Sequence, residues 1–188
     1  MALRKLSHIE DDAVEWLREK YEKLRHSLIV ARVGSIKNPY NIISEGNREK
    51  ELKLGRMYFF HYQPKTRMKL PYYDIFPLVL PVDTFRGGFV GLNFHYLPYG
   101  LRFKLLQELQ RYASNTDFDR TTIINASYNT LKNISMIKPT VKKYLWKHVR
   151  SNFLRIDVNE MAIAVYLPVQ QFKKATPQRV WSDSRKVV

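Results

Sequence analysis

Lysine and arginine are the residues best placed to do chemistry in this chain, and their spacing is uneven. No acid occurs between Asp119 and Asp157, yet Arg120, Lys132, Lys138, Lys142, Lys143, Lys147, Arg150 and Arg155 fall inside that interval. A second acid-free run, Leu52 to Tyr73, carries Lys53, Arg56, Lys65, Arg67 and Lys69, the last three in the loop QPKTRMKLP. A charge run is ordinarily a solvated face. What sets the interval between Asp119 and Asp157 apart is eight cations with no acid among them. A block of cations with no internal partner suits an external polyanion. The expected chemistry is phosphate contact by Lys138, Lys142, Lys143, Lys147, Arg150 and Arg155, with Lys65, Arg67 and Lys69 as a second patch. The Asn, Ser and Thr residues between 121 and 135 can also donate to phosphate oxygens. Such binding is steeply salt-dependent. Nothing resembles a zinc finger or an RNA-recognition aromatic pattern, so base reading is not expected.

Catalytic constellations are absent from the sequence. There is no cysteine, which excludes thiolate metal sites, disulfides and cysteine nucleophiles. The five histidines, His8, His26, His61, His95 and His148, lack metal-ligand spacing. Asp74, Asp83, Asp117 and Asp119 are too scattered to hold a magnesium ion. No phosphate-binding loop and no nucleophile elbow occurs. An RNA-cleaving barrel would need an acid–base pair near a phosphate-binding arginine such as Arg56, and no convincing trio appears. The expectation is a binding protein without cofactor or metal rather than an enzyme.

The elements that must position these residues follow from periodicity and breakers. Ser7 and Glu10 have capping-box spacing ahead of an apolar stripe, predicting a helix over Ile9–Leu28. Residues 34–55 read as an irregular connection with room for one short strand. Met57–Tyr62, Ile75–Val82 and Phe89–His95 read as strands, the last two joined through the Gly87-Gly88 turn. Prolines within the second place it at an edge or a bulge. Gly91 suggests a bulge or tight bend. A helix is expected over Tyr99–Tyr112, another within Thr122–Asn133, and a third from Pro139 to Val149 that stacks Lys143 and Lys147 on one face. Strands are expected at Phe153–Ile156 and Met161–Leu167, a short helix after Pro168, and an extended arm from about 175 to 188 anchored by Trp181. The fold class predicted is α+β: a small antiparallel SH3-like β-barrel or meander (55–97), an N-terminal helix and connection (1–34), and a helical, basic C-terminal half (98–168), all one domain. The longest apolar stretches, IFPLVLPV and AIAVYL, are far too short to span a membrane, and MALRKLSHIEDD is not a signal peptide.

Three stretches carry a family likeness: GRMYFFHYQPKTRMKLPYYDIFPLVLPV at 55–82, GGFVGLNFHYLPYGLRFKLL at 87–106, and KKYLWKHVRSNFLRI with VYLPVQQFKKATPQRVWSDSRK. Their most specific parts are LPYYDxFPLV, GLNxHYLP and WxDSR. Over most of the chain the sequence resembles virion-associated proteins of T-even-like contractile-tailed phages, cyanophages included, often labelled DNA end protector. It departs from the T-even end protector in being a shorter chain. The resemblance implies a virion structural protein, present in the host cytoplasm during assembly. Its partners would be double-stranded DNA and other phage virion proteins, with a role in protecting DNA ends or completing the head. The alternative is a neck, tail or baseplate assembly protein whose basic face docks on acidic virion proteins.

Overall fold

A hairpin turning at Gly87 is the spine of the molecule. The computed structural model describes residues 48–116, 121–124 and 126–188, all within the unit Ile42–Val188. Strands β4 (Leu78–Phe85) and β5 (Gly88–Asn93) pair antiparallel across this turn. Gly87 has φ +100°, a conformation that a Cβ disfavours. β2 (Met57–Phe59) pairs with the other side of β4, so the three expected central strands form a consecutive antiparallel meander. The sheet has six strands in the order β1-β9-β2-β4-β5-β8, with β1 at Arg48–Glu49, β8 at Val141–Leu145 and β9 at Phe153–Ile156. β4 is thus an interior strand, not an edge. Its Pro81 is accommodated by a bulge, where the register shifts between Pro81 and Asp83. Gly91 lies opposite Pro81, and a Cβ there would collide with Cγ1 of Val79.

Strand alternation divides the apolar residues between two clusters. Met57, Phe59, Leu78, Leu80 and Leu92 enter the larger one. Helix α1 (Tyr99–Gln110) supplies Leu105, Leu106 and Leu109 to it, all at most 1% exposed. Full burial of each such leucine contributes about 1.5–3 kcal/mol. Tyr58, Phe60, Tyr62, Phe89, Tyr144 and Phe153 form the second, aromatic cluster. The Phe89 and Phe153 rings are 6.3 Å apart although two strands separate β5 from β9, so the sheet is strongly curled. Tyr62 forms a single bridge to Val149. No closed barrel forms among the described strands; the architecture is α+β with a curled antiparallel sheet.

The remaining described elements are small. β3 (Tyr73–Asp74) pairs with β10 (Phe172–Lys173), and β6 (Ala113–Thr116) with β7 (Thr121–Ile124). Helices α2 (Tyr128–Leu131), α3 (Val158–Ala164) and α4 (Pro177–Arg185) complete the set. The expected helices at 99–112 and within 122–133 appear as α1 and the single-turn α2, the latter capped by Ser127. The strand at Phe153–Ile156 has the expected bounds.

Four expectations are corrected. The helix from Pro139 to Val149 is instead strand β8 followed by a 3-10 turn at Trp146–His148. Val141 and Tyr144 suit a strand, and pairing with β5 stacks Phe89 on Tyr144 at 5.1 Å. The strand at Met161–Leu167 is mostly replaced by α3, and the helix after Pro168 by an extended segment leading to β10. The extended arm is helix α4, with Thr176 as N-cap and Pro177 in its first turn. The helix expected at Ile9–Leu28 and its connection to residue 47 lie outside the described residues.

Candidate nucleic-acid interface

Strand β8, last in the sheet order, forms one wall of an open groove of about 690 Å³. The loop 64–73 also lines it, and α4 contributes Asp183 and Ser184. Three lysines line it: Lys65 from the loop, Lys142 and Lys143 from β8. Tyr72, Tyr73 and Tyr96 line it too. The two acid-free stretches of the sequence, distant along the chain, thus meet at one surface. The loop is held in place by a lysine that sequence reasoning did not single out. Lys174 has φ 69°, the left-handed region rarely used by residues with a Cβ, and its Nζ donates to the carbonyls of Met68 (2.9 Å) and Leu70 (3.0 Å). That exposed side chain adds a further cation beside Lys65, Arg67 and Lys69, which are exposed as well.

The nine expected contact residues do not all converge. Lys65, Lys142 and Lys143 share the groove. Arg67 and Lys69 sit on the same turn as Lys65, with the 81% exposed Met68 between them. Lys138 is exposed just before β8, Lys147 lies in the turn after it, and the Arg150 backbone N–H donates to the carbonyl of His61. Lys143 and Lys147 do not share a helical face, because no helix exists there. Arg155 is apart from the others: it lies on β9, four strands from β8, and bonds Glu49 and Asp157 at 2.9 Å each. Its charge is already matched within the fold. Arg56 is 6% exposed and its guanidinium also meets Glu49, so it offers no open phosphate site.

Lys142 is the most constrained cation. Its Nζ donates to the Pro139 carbonyl at 2.8 Å and stands 3.9 Å from the Tyr96 ring centroid, a cation–π contact. Burial pulls its ammonium down to about 8, so the group is mostly charged at neutral pH. Burial also pushes the Tyr72 and Tyr96 phenols above their ordinary value. These rings are therefore neutral at physiological pH and put no negative charge where a phosphate would approach. Two acids line the groove. Asp183 is bonded by Lys186 at 3.0 Å and Arg179 at 3.2 Å. Asp74 is bonded from the protein side, as follows.

Beneath the groove lies a polar network that sequence spacing did not predict. Asp74 Oδ2 meets His95 Nδ1 at 2.7 Å and Asn93 Nδ2 at 3.3 Å, while Oδ1 accepts from the backbone N–H groups of Phe76 and Gln171. Arg102, 0% exposed, donates to the carbonyls of Leu97, Val165 and His95 and to Gln170. The Trp181 indole donates to the His95 carbonyl at 2.9 Å. Burial lowers the His95 pKa, an effect the Asp74 carboxylate partly offsets, so the imidazole is neutral and donates to Asp74. An aspartate, a histidine and an arginine in one cluster invite a catalytic reading. The side chains of His95 and Asp74 are 0% and 1% exposed, and the Asp74 carboxylate is already bonded by His95 and Asn93. His61 does not join the pair; its ring stacks on Phe76 at 5.1 Å. The network draws together LPYYD, GLNxHYLP and WxDSR, the three specific motifs of the sequence. The legible signal was their clustering of Asp, His and Trp, but not which would touch.

Among the described residues, no group of three or more His, Cys, Asp or Glu side chains could hold a metal ion, and no helix is long and apolar enough to cross a membrane. Open cations, neutral tyrosine rings and internally matched acids together make a surface that can hold a phosphate-bearing, ring-containing ligand. Residues 26–184 match the family of the phage T4 terminal DNA protecting protein, and the chain belongs to that family. No curated protein and no solved structure matches it.

Proposed function

We propose that this chain is a phage virion protein that binds double-stranded DNA through its phosphates without reading sequence, and so protects DNA ends or completes the head. The meeting of the two acid-free stretches at the β8 groove carries this reading. Lys65, Lys142 and Lys143 line the groove, with Arg67, Lys69, Lys138, Lys147, Arg150 and Lys174 on the flanking turns. Among the described residues no carboxylate pairs with Lys65 or Lys143, so their charge is available to an outside anion. The description of the family as terminal DNA protecting supports the choice of DNA over another polyanion. Binding rather than catalysis fits a site whose Asp74 is already bonded by His95 and Asn93.

The test is an electrophoretic shift of blunt linear duplex by the full chain, repeated across a salt series. A complex at low salt that weakens steeply toward moderate salt supports the reading. No complex at low salt contradicts it. Tail-only particles that retain the protein without heads would favour a neck, tail or baseplate role instead.

A further inference from the structure

We infer that the β8 groove holds the terminal nucleotide of a DNA end, its base against the tyrosine wall and its phosphate at the three lysines. The inference rests on the DNA-binding reading and says where an end differs from the rest of a duplex. Inside a duplex both faces of each base are covered by neighbours, and only edges and phosphates are offered. A duplex end exposes a base face, and an end that frays exposes two. A surface that pairs ring faces with cations therefore selects ends, because stacking on aromatic side chains needs an uncovered base.

The groove has the parts this requires. Its volume of about 690 Å³ falls within the roughly 300–1,000 Å³ of ligand pockets. Tyr72 and Tyr73 line the groove and are half-buried. Tyr72 packs with the Tyr96 ring at 6.0 Å and the Phe172 ring at 6.4 Å. Lys142 on β8 is fixed over Tyr96 and Lys65 lines the groove from the loop, so two separate elements supply cations to the phosphate. The two acids on the lining, Asp74 and Asp183, are each bonded to protein donors and do not repel it unopposed. A flat phosphate-binding surface would need cations alone; the tyrosines and the concavity are the features that phosphate contact leaves unexplained.

The experiment uses the full chain and a short duplex with photoreactive 5-iodouracil at either the terminal or a central position, with a covalently closed minicircle of the same sequence as competitor. The expected result is a cross-link from the terminal probe to the peptide containing Tyr72 and Tyr73, at least tenfold stronger than from the central probe. The minicircle competes poorly. Tyr72→Ala loses the preference for linear over closed DNA by roughly tenfold while keeping the salt dependence, and Tyr72→Phe retains it. Equal cross-linking at both positions, a cross-link mapping away from the groove, or equal affinity for the minicircle overturns the inference and leaves phosphate binding standing. Failure to bind any linear duplex at low salt overturns the underlying reading as well.

Discussion

Two polar regions of this molecule share Asp74 and Asn93, yet their charges are met differently. In the Asp74–His95–Arg102 network every charge is answered by protein: Arg102 is fully buried and donates to three carbonyls and Gln170. In the groove above it Lys65 and Lys143 are exposed and Tyr72 and Tyr73 are half-buried. Residue identity does not separate structural from functional polarity here; access and internal pairing do. A buried charge must be matched inside the fold because desolvation is costly. An exposed cation without a partner is free to be matched by something else.

The contrast predicts separable effects of substitution. The largest is expected beneath the groove. Arg102→Met leaves buried carbonyls without their donor and should destabilise by about 3–5 kcal/mol, measured by urea unfolding. The fraction that remains folded should bind duplex with unchanged affinity. A substantial loss of affinity per folded molecule would mean the two regions are not separable.

Next comes the groove's own pH response. Lys142 loses its proton as pH rises through about 8, and the cation it removes would be one that faces phosphate. Affinity for duplex should fall severalfold between pH 7 and 9, and Lys142→Arg, which stays charged, should flatten that fall. Fluorescence anisotropy at constant ionic strength measures both.

A smaller effect distinguishes the network by stability rather than binding. Burial holds the folded-state pKa of His95 below 6.5. The unfolded chain therefore binds the extra proton first, and stability decreases as pH falls through about 6.5. The wild type should lose more stability between pH 7 and 5 than His95→Gln does. Parallel pH profiles in thermal unfolding would contradict this.

The smallest effect is expected at Arg155. Its charge is matched by Glu49 and Asp157, so Arg155→Gln should leave duplex affinity within about twofold. As a partly exposed pair it should cost less than about 1 kcal/mol.

Local signals in the sequence located much of the fold. Gly87-Gly88 marked the central hairpin, the leucine spacing marked α1, and the aromatic run from Met57 marked β2, because each element is specified by its own residues. The segment from Pro139 failed for the opposite reason. Lys143 and Lys147 have helical spacing, but Phe89 on β5 supplies a tertiary partner for Tyr144 that no local pattern reports. Helix α4 was legible and overlooked: Thr176-Pro177 is a cap followed by a first-turn proline. For the site, the acid-free stretches gave the cations and their two sources. They could not show that the loop and β8 line one groove, nor that Arg155 is tied to Glu49 across more than a hundred residues. The buried network was out of reach because Asp74, His95 and Arg102 meet only once α1 and β3 are packed.

The central claim is that Lys65 and Lys143, which pair with no carboxylate among the described residues, and not the bulk charge of +15, hold DNA. The direct test is the salt dependence of linear-duplex binding by wild type and by the double variant Lys65→Glu/Lys143→Glu. The account predicts at least a tenfold loss of affinity at moderate salt and a log–log salt slope shallower by about two, with the unfolding midpoint unchanged. An unchanged slope and affinity in the correctly folded double variant would contradict it.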